Sequence, residues 1–267
     1  MTKVKFLIVV AISAILCSCS EFNRLQKSTD PDVKFEAGKI FFQEKKYIKS
    51  ATMFESIITF YRGTPKAEEL LYLLSESYMG QNDFFAASEY FSTYLRSFPR
   101  GEYADEARFK VAYCYYLDSQ DPRLDQSSTY AAIVALYEFI DLYPTSDRVE
   151  SCYRYLAEME NKLAYKGLMA AKLYFNLGTY GGNNFQAAVL TAENTLKEYP
   201  DSKYRDDLLF LILQSKSDEA SNSIDDKKVE RYSEVIDEYY RYANEFSDGK
   251  NIKAANRILK EAKNIVK

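Results

Sequence analysis

The sequence predicts an all-α superhelix, a solenoid of about five helical hairpins closed by a C-terminal capping helix, over residues 30–267. Three observations carry that expectation. From Asp32 onward, apolar residues recur at intervals of three and four, the spacing of one face of an α-helix. The chain has nine glycines in 267 residues and no convincing run that alternates with period two, as strands would require. An aromatic residue followed by proline or a polar residue, then a small polar linker, recurs at Tyr61-Arg62, Phe98-Pro99, Tyr143-Pro144, Tyr199-Pro200 and Phe246-Ser247. The intervals are 37, 45, 56 and 47 residues, as a repeated two-helix unit would place them.

The first element, residues 1–18, reads as a leader. Lys3 and Lys5 form a basic start, and Phe6 to Leu16 is an apolar run broken by Ser13. The run is shorter than the roughly 20 residues that span a bilayer and ends in small residues, as a signal peptide does. Leu16-Cys17-Ser18-Cys19 resembles the lipobox of bacterial lipoproteins. Cys19 fits the acylated position better than Cys17, with Leu16 three residues before it and Ser18 just before it. The resemblance implies a covalent lipid at Cys19, stable anchoring by two or more acyl chains, and the periplasmic face of the outer membrane of a Gram-negative bacterium, since Ser20 is not the Asp of an inner-membrane retention signal. The alternative is an ordinary secretory leader that leaves Cys19 unmodified.

Residues 19–29 read as a tether, and Asp30-Pro31-Asp32 as a helix start with Asp30 as N-cap and Pro31 in the first turn. The second repeat places Leu71, Leu74, Tyr78, Ala87, Phe91 and Pro99 on positions 4, 7, 11, 20, 24 and 32 of the 34-residue tetratricopeptide (TPR) pattern, with Ser75 departing at position 8. The first has Gly38, Phe41, Tyr47 and Phe54 in register, with Ser50 in place of the small Ala. These residues have a packing role: small side chains let the paired helices approach, and large ones fill the seam. In the third repeat a polar loop, Asp118 to Ser128, separates helices expected at Asp105 to Leu117 and about Ser127 to Leu142, the second capped by Asp125. A long helix from about Asp147 to Leu177 precedes Gly178, Gly181 and Gly182 and a helix from Asn184 to Tyr199. The fifth repeat runs from Ser202 through the turn at Ser223 to Asp226 into Val229 to Phe246. A final apolar stripe, Ile252, Ala255, Ile258, Leu259, Ala262 and Ile265, suits a helix that closes an open end.

Composition excludes several functions. The chain carries 35 basic and 39 acidic residues, and removal of the leader with Lys3 and Lys5 leaves a net charge of −6 with no basic block, a poor match to nucleic acid. Histidine is absent, which removes Ser-His-Asp and Cys-His catalysis and HExxH zinc chemistry. A carboxylate-only enzyme stays open in principle, but no segment outside the repeats is long enough for a lysozyme-like domain, so no catalytic residue, metal or cofactor is assigned. Cys114 and Cys152 lie on apolar helix faces and read as core residues, although an oxidising compartment would permit a bridge.

The lipobox, the five irregular TPR-like units and the insert in the third together resemble the YfiO-like family of outer-membrane lipoproteins, the BamD type. Leu124-Asp125-Gln126-Ser127, then Ala131-Ala132 and Phe139 to Ser146, is similar to that family's Arg-Asp-Gln loop, helix and Tyr-Pro-x-Ser linker, with Leu124 where Arg is usual. Tyr199 to Tyr204 is similar to the next linker. The resemblance implies a non-catalytic scaffold that helps fold and insert β-barrel proteins. Its N-terminal half, residues 30–144, would receive unfolded outer-membrane proteins, and its C-terminal half, 145–267, would bind the POTRA domains of the insertase BamA, alongside other Bam subunits.

In a TPR array, the concave wall is built from fixed positions of each first helix. Here those positions hold Phe35 and Phe42, then Tyr72 and Met79, then Phe109, Tyr113 and Tyr116. Such a wall would offer stacking surfaces and hydroxyls to an extended peptide ending in an aromatic residue; alternatively, the same rings fill the interior of the array. On the long fourth helix, Arg154, Lys162 and Lys166 are candidates for a salt bridge to a partner, the alternative being a solvated helix face. A different TPR lipoprotein of the envelope, for example a glycan binder, is the competing reading. Its 24 Tyr could stack sugars, but Trp, a strong platform for that purpose, is absent.

Overall fold

The first hairpin begins where the capping residues place it. The Asp30 side chain accepts from the backbone N–H groups of Asp32 (2.9 Å) and Val33 (3.4 Å), Pro31 occupies the first turn, and helix α1 runs Pro31–Gln43. Lys45, in the left-handed region at φ 58°, turns the chain into α2, Tyr47–Glu55. The structure, a computed structural model, describes residues 21–267; the leader and Cys19 lie outside them. The remaining helices are α3 (Lys66–Gly80), α4 (Phe84–Ser97), α5 (Ala104–Asp118), α6 (Ser127–Leu142), α7 (Val149–Leu177), α8 (Asn184–Glu198), α9 (Arg205–Ser221), α10 (Asp225–Glu245) and α11 (Ile252–Ile265). All regular structure among the described residues is helical, and the fold is one of TPR-like hairpins in tandem.

The helices divide into two compact units. The first comprises the chain through Ser119 together with Ser127–Cys152; the second comprises Gln120–Gln126 and Tyr153–Lys267. The division thus falls inside α7, and residues 120–126 of the loop expected within the third repeat belong to the second unit.

In unit 1 each helix packs on its neighbours in sequence from α1 to α6. The repeat pattern is a set of close approaches. Gly38 of α1 lies so near Phe54 of α2 that a Cβ would stand 2.6 Å from the ring. Ser50, which departs from the pattern, is fully buried and satisfied: its Oγ lies 3.0 Å from the Gly38 carbonyl oxygen and 2.9 Å from Ser77 Oγ. Ser75 hydroxyl donates to the Leu71 carbonyl at 2.8 Å. Both departures are therefore paid in hydrogen bonds rather than in voids. Cys114 and Cys152 are both buried free thiols; burial pushes Cys114 up to about 12 and raises Cys152, so both remain neutral.

In unit 2 the C-terminal part of α7 packs with α8 and α9 through Leu168, Ala171, Ala192, Leu196 and Leu208. Gly167 admits the Thr195 side chain, which a Cβ would overlap. Helix α11 lies on α9 and α10, with Ala255 and Ala262 fully buried and Ile252 and Ile258 packed against the same core. Ile265, expected in that stripe, is instead exposed.

Two boundaries differ from expectation. Helix α10 starts at Asp225 rather than Val229, because Asp225 and Asp226 are first-turn acids that favour a helix N-terminus. The expected tether is helical over 21–26, and Phe22 meets the Phe41 ring edge-on at 5.8 Å while Leu25 packs on the same cluster as Ala37 and Met53.

Candidate functional site

The seven aromatic-wall residues all lie in unit 1, but they do not share one environment. Phe35 is 2% exposed, enclosed by Phe54 and Tyr61 at 6.0 and 5.7 Å between centroids. Tyr72 is 8% exposed, stacked on Tyr103 at 4.2 Å, with Lys110 Nζ donating to its hydroxyl at 3.2 Å. These two side chains are core, so the expectation that they form an open wall is corrected at both positions: neighbouring rings occupy the faces a peptide would use.

The other five are half-buried. Phe42 rests edge-on against Tyr47 at 5.7 Å, and Met79 packs beside the cluster of Leu71 and Phe91. Phe109, Tyr113 and Tyr116 form a ladder on α5. Their spacing of four and three residues puts them on one helical face. The Phe109 and Tyr113 rings are 5.8 Å apart and 9° from parallel, and those of Tyr113 and Tyr116 are 5.9 Å apart and 13° from parallel. The base of the ladder is fixed from two sides. Phe139 of α6 meets Phe109 edge-on at 5.5 Å, and the Arg148 guanidinium lies 5.0 Å over the Phe109 ring, a cation–π contact. Lys110 bridges Glu76 and Glu106, the latter at 3.1 Å; burial raises the Glu106 carboxyl, but Lys110, Tyr72 and Arg148 together hold it below the ordinary range. The arrangement is a row of parallel, half-buried π-systems whose faces are turned to one another, so what it offers an aromatic or apolar side chain is ring edges and tyrosine hydroxyls.

The candidate partner-facing residues lie together in unit 2, on α7. Arg154 is exposed, its guanidinium 5.2 Å over the adjoining Tyr155 ring. Lys166 is exposed, but its Nζ donates to the Leu124 carbonyl at 2.8 Å. Lys162 is half-buried, and burial lowers its pKa against the opposing influence of Asp121 and Glu158. Both lysines thus address the loop 120–126.

That loop is held by a residue to which sequence reasoning assigned no role. Gln126, 4% exposed, donates from Nε2 to the carbonyls of Asp121 (2.8 Å) and Asp125 (3.0 Å). Arg123 closes the loop from outside, Nε to Asp121 Oδ1 at 2.9 Å, and holds that carboxyl below its usual range. The signal was present in the quoted segment Leu124 to Ser127, but a single sequence does not say that the amide turns inward. The result is an ordered loop, with Leu124 56% exposed, laid against two lysines of α7.

Among the described residues no group of His, Cys, Asp or Glu could hold a metal ion, and no helix is long and apolar enough to cross a membrane.

The family model described as YfiO, outer membrane lipoprotein, matches residues 27–228. No curated protein matches the sequence. Among solved structures, a crystal structure from Podosopora anserina with nearly identical TPR-like repeats is similar at 12% identity, covering 87% of this chain and 92% of that one, with a TM-score of 0.33.

Proposed function

Because the chain belongs to the YfiO family of outer membrane lipoproteins, we propose that it is a lipid-anchored scaffold at the periplasmic face of the outer membrane that helps β-barrel proteins fold and insert. In this reading unit 1 receives the unfolded client and unit 2 binds the POTRA domains of the insertase BamA.

The observation that carries the reading is the ladder of Phe109, Tyr113 and Tyr116, parallel rings fixed at one end by Phe139 and Arg148. A strand-forming segment of a barrel protein places an aromatic or aliphatic side chain on one face at every second residue, about 6.6 to 6.8 Å apart. Ring centroids 5.8 and 5.9 Å apart fall roughly 1 Å short of that repeat, close enough for a row of two or three contacts. Phe42 and Met79 add half-buried apolar surface elsewhere in the unit.

For unit 2, the surface is the ordered loop 120–126 with exposed Leu124, together with Arg154. Leu124 supplies exposed apolar surface, and Arg154, on α7, is of a residue type enriched at interface hot spots. The lysines contribute by holding the loop in place. Pull-down of BamA tests this half: Leu124→Asp and Arg154→Glu reduce recovery at least tenfold, and unchanged recovery with both substitutions overturns it.

A further inference from the structure

Helix α1 has apolar residues on two faces. Phe35 and Gly38 face α2, whereas Val33, Ala37, Ile40 and Phe41 occupy the side that a preceding hairpin would cover in a tandem array. The helical segment 21–26 covers part of that side, with Phe22 and Leu25 on the cluster of Ala37, Phe41 and Met53. Six residues are too few to cover it all. Val33 and Ile40 stay 41% and 55% exposed, and a groove of about 550 Å³ runs between the segment and α1, floored by Phe22, Leu25, Val33, Ala37, Ile40 and Phe41. Four carboxylates line it, Glu21, Asp32, Glu36 and Glu44; Lys66 pairs with Asp32 at 2.6 Å and Lys46 with Glu44 at 2.8 Å.

What can reach this groove is set by where the described chain begins. Glu21 is part of the groove wall and stands two residues after Cys19. Two residues of backbone span at most about 7 Å. An acyl chain on Cys19 therefore starts within that reach of the groove wall, with an effective concentration on the order of millimolar for this short tether, ahead of a dilute free lipid. A chain in the bilayer is already out of water, so the gain lies in the floor: covering Val33 and Ile40 removes their exposed apolar surface from water.

We propose that one acyl chain of the lipid on Cys19 packs in this groove, between Phe22 and Leu25 on one side and Val33 and Ile40 on the other, while the other chains hold the bilayer. Two inserted chains suffice for stable anchoring, so on a triacylated Cys19 the third is free to pack on protein. The anchor then orients unit 1 instead of trailing it on a string. The inference rests on the lipoprotein reading of Cys19.

The test uses the lipidated full chain, purified from membranes with p-benzoylphenylalanine replacing Ile40, or in separate preparations Val33 or Phe85, the last a 63% exposed control on α4. Intact mass first establishes the lipid on Cys19. After reconstitution in phospholipid nanodiscs and irradiation, the expected product from positions 33 and 40 is a peptide joined to the lipid of the Cys19 peptide, with no such product from position 85. Cross-links from 33 and 40 only to nanodisc phospholipid or to another protein, or none at all, overturn the proposal while the lipid mass stands. Absence of the lipid mass removes the lipoprotein reading and the proposal with it.

Discussion

The hydroxyl of Tyr94, a fully buried side chain near the end of α4, donates to Glu68 Oε1 at 2.6 Å and accepts from the Tyr103 N–H at 3.0 Å, tying the end of one hairpin to its own beginning and to the next linker. The same Glu68 oxygen accepts from the Glu102 N–H at 2.6 Å. The device recurs. Tyr242 of α10 donates to Asp206 of α9 at 2.7 Å, Asn251 adds a bond to that carboxylate at 3.2 Å, and Tyr61 donates to Asp32 at 2.5 Å. In each case a tyrosine after or late in the second helix meets an acid in the first turn of its partner.

Replacing Tyr94 by Phe keeps the ring and removes the hydroxyl. The Glu68 carboxylate and the Tyr103 N–H each lose a partner, and bonds to charged groups contribute about 1.5–3 kcal/mol. Urea unfolding of Tyr94→Phe is expected to show a loss in that range with the m-value unchanged.

Gly38 and Gly181 separate packing from backbone conformation. Gly38→Ala forces a Cβ to 2.6 Å from the Phe54 ring and is expected to cost about 1–3 kcal/mol by overpacking. Gly181 is at φ 71° with nothing within 4 Å, so Gly181→Ala should cost only the left-handed penalty of about 1–2 kcal/mol. Thermal melts of the two variants, with Gly38→Ala falling further, check the difference.

Acid should act on two carboxylates of unit 2 in opposite senses. Burial, with Glu261 nearby, raises the Asp218 pKa above 3.8, so the folded form binds its proton more tightly and stability from this site falls as pH rises through the folded value. Asp218→Asn is therefore expected to raise the melting temperature at pH 7 relative to the parent chain, with the gain vanishing below about pH 3.8. Glu245, held down by Arg205, behaves conversely: its contribution is present above 4.5 and is lost as pH falls through its lowered folded value. Glu245→Gln should destabilise at pH 7 and converge with the parent in acid. Paired melts from pH 3 to 7 read both signs.

Gln126→Ala removes the amide that gathers the carbonyls of Asp121 and Asp125. Hydrogen exchange over 120–126 is expected to accelerate at least tenfold while α9 and α10 stay protected. Unchanged exchange would mean that Arg123 and Lys166 hold the loop without it.

Much of this architecture can be read directly from residue types. Asp30-Pro31, the Gly178 to Gly182 turn and the aromatic-proline linkers place most helix ends because each residue carries a backbone requirement of its own. The segment 21–26 escapes that logic, since two apolar residues, Phe22 and Leu25, do not make a period. Its helix is held by Phe41 and Ala37 of α1. Burial escapes it too. Phe35 and Phe42 are both aromatic residues of α1, but Phe54 and Tyr61 enclose the first, whereas the second stays half-buried, edge-on to Tyr47. Which positions stay open depends on the size of neighbours that are distant in sequence. The inward turn of Gln126 is likewise a property of the folded loop.

The most direct measurement of the proposed scaffold role is site-specific photo-cross-linking in intact outer membranes, with the probe replacing Tyr113 in unit 1 and, separately, Leu124 in unit 2. The account predicts adducts from position 113 with unfolded or nascent β-barrel proteins, and from position 124 with BamA. Adducts with neither class from both positions, in membranes where the protein is present at its normal level, would contradict it.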